Sequence, residues 1–138
     1  IMEAGAMGPL VCLLEHGTPE GCASAAAAIR SLTGGEEPAE RKAAAFSAGV
    51  VEPLIQLLEP FSALPPHGRS NLLGALRNLS AGPAERKLAL LRAGALTPLV
   101  RLLATDGSGE EGAVVLTVDD CIAIVGALRN LATGSDER

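Results

Sequence analysis

With 138 residues, 48% of them hydrophobic and 20% charged, the chain has the composition of one soluble globular domain with its own core. A net charge of −5, no basic run and almost no aromatic side chains (two Phe, no Tyr, no Trp) argue against a nucleic-acid surface. Apolar runs such as 88–91 and 121–128 fall short of the roughly 18–20 residues that span a bilayer, and no signal or lipidation motif is read.

Without large aromatic rings, the interior must be built from Leu, Ala, Val and Ile, and small Ala side chains let helices approach closely. Three Cys, at 12, 22 and 121, are an odd number without the spacing of a disulfide framework. That places the expected location inside the cell, in the cytoplasm or also the nucleus.

In chain order, the first pattern is Ala4-Gly5 followed by Pro9-Leu10 and Leu13-Leu14. It returns as Ala48-Gly49, Pro53-Leu54 and Leu57-Leu58, and again as Ala93-Gly94, Pro98-Leu99 and Leu102-Leu103. The glycines are 44 and 45 residues apart, which marks an internal repeat of the helical-array type. Repeat one covers about 1–35, repeat two about 36–82 and repeat three about 83–134, with the start of a fourth at 135–138.

Each period divides into three helical pieces. The first is short, as in Ala84–Arg92, and follows Gly82-Pro83, where Pro suits a helix start that needs no N–H. It stops at Ala93-Gly94, where Gly permits the left-handed conformation. In repeat one the residues up to Gly5 read as the tail of such a helix. The second piece, about Ala95 to Ala104, carries an i, i+3, i+4 stripe of Leu99, Leu102 and Leu103.

The third piece is the longest, about Val118 to Thr133 in the last copy. Thr117 is the expected N-cap, and Asp119 and Asp120 favour the positive end of the helix. Its buried stripe is expected to be Val118, Cys121, Ile122, Val125, Leu128 and Leu131. The heptapeptide Gly74–Ser80 recurs on this helix as Gly126–Ala132, with a worn copy at Ala27–Thr33. No segment alternates with period two, so the expected class is all-α.

Three helices per period, with Pro-Leu-x-x-Leu-Leu on the second and Ala-Leu-Arg-Asn-Leu on the third, resemble the armadillo repeat family over essentially the whole chain. The resemblance implies a right-handed α-solenoid of about three repeats, whose third helices line a concave groove. The distance from the second-helix Leu to the third-helix aliphatic residue grows from 15 residues (Leu14 to Ile29) to 18 (Leu58 to Leu76) and 25 (Leu103 to Leu128). The extra residues lie in 59–69 and 106–115, on one edge of the array, as solvated loops or as a binding edge.

Helical geometry locates the groove side chains, at 100° per residue. Asn78 points away from Leu76, Gly74 lies on the same face as Asn78, and Arg77 flanks it at about 60° from Gly74. Gly126, Arg129 and Asn130 repeat that arrangement, and Ala27, Arg30 and Ser31 are its weaker first copy. An Asn amide both donates and accepts, so it can clamp an extended peptide's backbone or bond the neighbouring repeat. The resemblance assigns Asn78 and Asn130 the peptide role, with Ser31 a weak match.

Importin-like grooves carry Trp four residues before that Asn, where this chain has Ala27, Gly74 and Gly126. A ladder of Arg30, Arg77 and Arg129 takes its place, suited to carboxylates, so the likeness is to catenin-like rather than importin-like arrays. The expected function is therefore a protein-interaction scaffold that binds an extended, acidic segment of a partner protein through Arg30, Ser31, Gly74, Arg77, Asn78, Gly126, Arg129 and Asn130. The alternative is an assembly segment that contacts partners, including further copies of itself, through its ends or through residues 106–115.

An enzyme is not expected: there is no G-x-S-x-G, phosphate loop or H-E-x-x-H, and only two His are present. Cys12, His16 and Cys22 fit no zinc spacing, so no metal, cofactor or small-molecule substrate is expected. Glu40-Arg41-Lys42 and Glu85-Arg86-Lys87 read as solvated charges on the first helices.

Overall fold

A computed structural model describes residues 2–34, 46, 49–58, 64–81, 84–105 and 116–133. These form α1 (Met2–His16), α2 (Pro19–Thr33), α3 (Val51–Gln56), α4 (Pro66–Ser80), α5 (Ala84–Arg92), α6 (Leu96–Thr105) and α7 (Val118–Ala132). Among the described residues there is no strand, and no helix is long and apolar enough to cross a membrane. Residues 106–115, 59–63 and the charges at 40–42 lie outside the described set.

Local chemistry sets the helix ends. Thr18 caps α2 by accepting from Gly21 N at 3.1 Å, with Pro19 in the first turn, where its missing N–H costs nothing. Thr117 caps α7 in a full capping box: it accepts from Asp120 N at 3.0 Å, and the Asp120 carboxylate accepts from Thr117 N at 3.3 Å. At the end of α5, Gly94 has φ of 89°, its N–H bonds Leu91 O at 3.0 Å, and Ala95 N bonds Leu90 O at 3.2 Å. That is a Schellman motif, closed by contact between buried Leu90 and Ala95. Gly49, with φ of 84°, makes the equivalent turn in the second repeat.

The first repeat departs from this scheme. The expected break at Ala4-Gly5 is absent, and α1 runs unbroken through Gly5 and Pro9. The ring of Pro9 faces the carbonyl of Gly5 four residues back, a place where Gly, lacking Cβ, gives the backbone most room to adjust.

α4 sits in the middle, against α2 on one side and α7 on the other. Ile29, Leu72, Leu76 and Leu79 fill the space behind these three helices, with Leu54, Leu90 and Leu99 from the outer helices. Ala and Gly line the closest approaches, since Gly68 leaves no room for a Cβ beside Ala23.

The expected buried stripe of α7 is corrected here. Only Leu131 of the six is buried; Cys121 and Leu128 are half-buried, and Val118, Ile122 and Val125 face outward. The inward face is instead Asp120, Ala123, Ile124, Ala127 and Leu131. The buried stripe runs through Ile124 and Leu131 with small Ala123 and Ala127 between them, so the helix is turned from the expected phase and its other aliphatic residues fall outside the core.

Candidate functional site

The repeated heptapeptides bring arginine and glycine from successive repeats together. Gly74 of α4 is buried beneath the Arg30 side chain of α2. A Cβ on Gly74 would meet Arg30 Nε and lie 2.7 Å from its Cδ and Cζ. Gly126 of α7 relates to Arg77 of α4 in the same way, with a Cβ 2.8 Å from Nε and 3.2 Å from Cδ. Each glycine thus seats the arginine of the preceding repeat, which explains a residue that costs about 1 kcal/mol in a helix interior.

The seated guanidinium groups remain at the surface, and Arg30, Arg77 and Arg129 are all exposed. Arg30 Nη1 donates to Asn71 Oδ1 at 3.2 Å. Among the described residues, no carboxylate forms an ion pair with any of the three.

The two asparagines link repeats. Asn78 Nδ2 donates to Arg30 O at 2.9 Å, across the gap between α4 and α2. Asn130 Nδ2 donates to Ser80 Oγ at 3.0 Å, and that hydroxyl donates to Arg77 O at 2.7 Å. In both cases the amide satisfies a carbonyl near the C-terminal end of the preceding repeat's helix, once directly and once through Ser80. The amide nitrogens therefore serve the stack, and among the described residues neither Oδ1 accepts a hydrogen bond.

A depression of about 540 Å³ runs between α2, α4 and α7, edged by Arg30, Gly74, Arg77, Asn78 and Asp119. A second, of about 450 Å³, continues past it along Arg77, Gly126 and Arg129 onto the apolar side chains of Val118, Ile122 and Val125. Six of the eight expected groove residues line one or both; exposed Ser31 and half-buried Asn130 line neither.

Other residues at this surface were not singled out from sequence. Asn71 holds Arg30, and lies three residues before Gly74 on the same helical face. Buried Asp120, expected only to favour the helix dipole, also accepts from Ser70 Oγ at 2.8 Å and so ties α7 to α4. Ser80 relays Asn130 to the backbone. Pairings of this kind depend on which turn of one repeat faces which turn of the next.

Nothing in the cysteines or histidines adds a site. Among the described residues no group of three His, Cys, Asp or Glu could hold a metal. Cys22 is buried, donates to Leu13 O at 3.4 Å and has its thiol pKa raised by desolvation. His16 and His67 are exposed.

No family model matches the sequence, and no curated protein matches it. Solved structures do. "Designed armadillo repeat protein YIII(Dq)4CqI" is 32% identical with a TM-score of 0.77, over 98% of this chain and 50% of that one. A computationally designed armadillo repeat protein for modular peptide recognition gives the same identity, score and coverages. A designed armadillo repeat protein in complex with the peptide (KR)4 is 30% identical with a TM-score of 0.76, again over 98% of this chain and 50% of that one. The chain therefore spans about half the length of these structures. Seven described helices in a repeating order, glycine turns in register and this likeness place the chain in the armadillo repeat family.

Proposed function

We propose that the face formed by α2, α4 and α7 binds an extended segment of a partner protein, rich in Asp and Glu. The observation that carries this reading is the seated arginine ladder. Arg30 over Gly74 and Arg77 over Gly126 are held in fixed places with their guanidinium groups outward and without carboxylate partners among the described residues. Unpaired, positioned guanidinium groups recognise carboxylates by paired, charge-assisted hydrogen bonds. The Oδ1 atoms of Asn78 and Asn130 supply acceptors for backbone N–H groups of an extended chain.

One structural relative carries a peptide of alternating Lys and Arg. The scaffold's use supports a peptide-binding role here, and the charge of this surface supports the opposite ligand. Asp119 is its one exposed described carboxylate, and Asp120 is buried and bonded to Ser70 and Thr117. A catenin-like reading accords with that charge.

Fluorescence anisotropy with a labelled peptide of alternating Glu and Leu, and with (KR)4 as counter-probe, tests the proposal. The acidic peptide is expected to bind, to weaken as salt is raised, and to lose at least about tenfold in affinity in an Arg77→Glu/Arg129→Glu variant. Tighter binding of (KR)4, or equal binding of the acidic peptide to the variant, refutes it.

A further inference from the structure

The arginine ladder has a companion row two helical turns away. Counting back seven residues from Ala27, Gly74 and Gly126 gives Glu20, His67 and Asp119. They lie on nearly the same faces of α2, α4 and α7, about 10 Å nearer each helix start. All three are exposed. The His67 side chain stays 63% exposed although α7 packs against its helix, so exposure in this row does not depend on where the array stops.

The row is not uniform. Glu20 Oε1 lies 3.9 Å from His67 Nε2, and neither residue lines the two depressions. Asp119 edges the depression of about 540 Å³, on the side of α7 that faces α4. Arg77, seated over Gly126, edges the same depression seven residues further along α7, and Arg30 does so from α2. No ion pair joins Asp119 to either arginine. One depression thus has a negative edge and a positive edge, about 10 Å apart along the helix, that do not neutralise each other. Asp120, the other carboxylate there, is buried and held by Ser70 and Thr117.

A purely acidic ligand satisfies one edge and is repelled by the other. An extended chain crossing the helices points successive side chains to opposite sides. When its acidic residues turn toward the arginines, the residues between them turn toward the helix starts.

We propose that Asp119 selects a basic residue, Lys or Arg, directly beside an acidic one in the bound segment. This rests on the reading of the face as a binder of acidic extended segments and adds a second requirement to it. The basic side chain meets the Asp119 carboxylate, and its acidic neighbour meets Arg30 or Arg77. Asp119 also favours the positive end of α7, a role that any position in the first turn would serve. Its place on the rim of the depression is what the selection uses.

The peptide of alternating Glu and Leu is the starting probe, because its Leu side chains all face the Asp119 edge when its Glu side chains face the arginines. Fluorescence anisotropy is read for that peptide, for versions with one Leu at a time changed to Lys, and for a version with one Glu changed to Lys. At least one Leu-to-Lys version is expected to bind about two- to fivefold more tightly than the parent peptide, and the Glu-to-Lys version more weakly. The gain should vanish in Asp119→Asn and persist in Glu20→Gln, which removes the same charge outside the depressions. Circular dichroism checks that both variants fold. If the parent peptide binds but no Leu position gains, or the gain survives in Asp119→Asn or disappears equally in Glu20→Gln, this inference fails and the acidic-segment reading stands. If the parent peptide does not bind at all, that reading fails and takes this inference with it.

Discussion

The packing of α4 on α2 makes Gly68→Ala a sharp test. A Cβ at residue 68 would sit 2.6 Å from Ala23 Cβ and 3.3 Å from Ala23 Cα, a buried methyl and the backbone carbon that carries it. Carbon atoms rest at about 3.5–4.0 Å, so the two helices must part by about 1 Å. Overpacking of this kind costs about 1–3 kcal/mol, and replacing glycine by alanine in a helix returns up to about 1 kcal/mol. The expected net loss is about 1–2 kcal/mol, a fall in Tm of about 3–8 °C. Gly74→Ala is the control. Its new methyl meets the Arg30 side chain, which lies at the surface and can leave its seat without moving either backbone, so the helix gain of about 1 kcal/mol should offset the lost seat and leave the protein about as stable. Thermal melts of both variants, with urea titrations for the free energies, decide the matter. If Gly68→Ala melts with the parent, or Gly74→Ala loses as much, the close-approach reasoning is wrong. An Ala23→Gly/Gly68→Ala pair should couple by more than about 0.5 kcal/mol, because the first change removes the obstacle to the second.

Asp120→Ala removes the bond from Ser70 and half of the capping box, and should cost about 1–3 kcal/mol in urea titration, more than Thr117→Ala at about 0.5–2 kcal/mol. Asn78→Ala should cost about 0.5–1.5 kcal/mol by the same assay, since Arg30 O then loses a partner from the next repeat. Thiol labelling of the native chain should modify exposed Cys12 well before Cys22, which is expected to react only on unfolding. Because burial raises the Cys22 pKa in the fold, its contribution is full at neutral pH and is lost as pH climbs through the alkaline range where an unfolded thiol ionises first; Cys22→Ala should flatten that decline.

Much of the fold was legible because armadillo periodicity is written in residues with one physical use each. Gly49 and Gly94 mark positive-φ turns, and Thr117 marks a helix start, and all three do so in the structure. The phase of α7 was not legible. Val118, Ile122 and Val125 read as part of a helical stripe facing the core, whereas the buried stripe is Asp120, Ala123, Ile124, Ala127 and Leu131, and those three are left on a side that no described helix covers. The candidate residues could be listed from the sequence, but their arrangement could not. That Gly74 and Gly126 shared a face with Asn78 and Asn130 followed from helical angles. That each glycine seats the arginine of the repeat before it, and that each asparagine serves that repeat's backbone, depends on register between helices some fifty residues apart.

Because each guanidinium rests on the neighbouring helix, the distance from one positive charge to the next is fixed by how successive repeats are stacked rather than by the rotamers of Arg30 or Arg77. On the proposed reading the surface is a ruler whose graduations move with the curvature of the whole array. A ligand whose acidic residues match the graduations would hold the array at one curvature, and any change that tightens or relaxes the superhelix would alter which acidic spacing fits. In such a molecule, stiffness of the stack and selectivity for sequence are the same property.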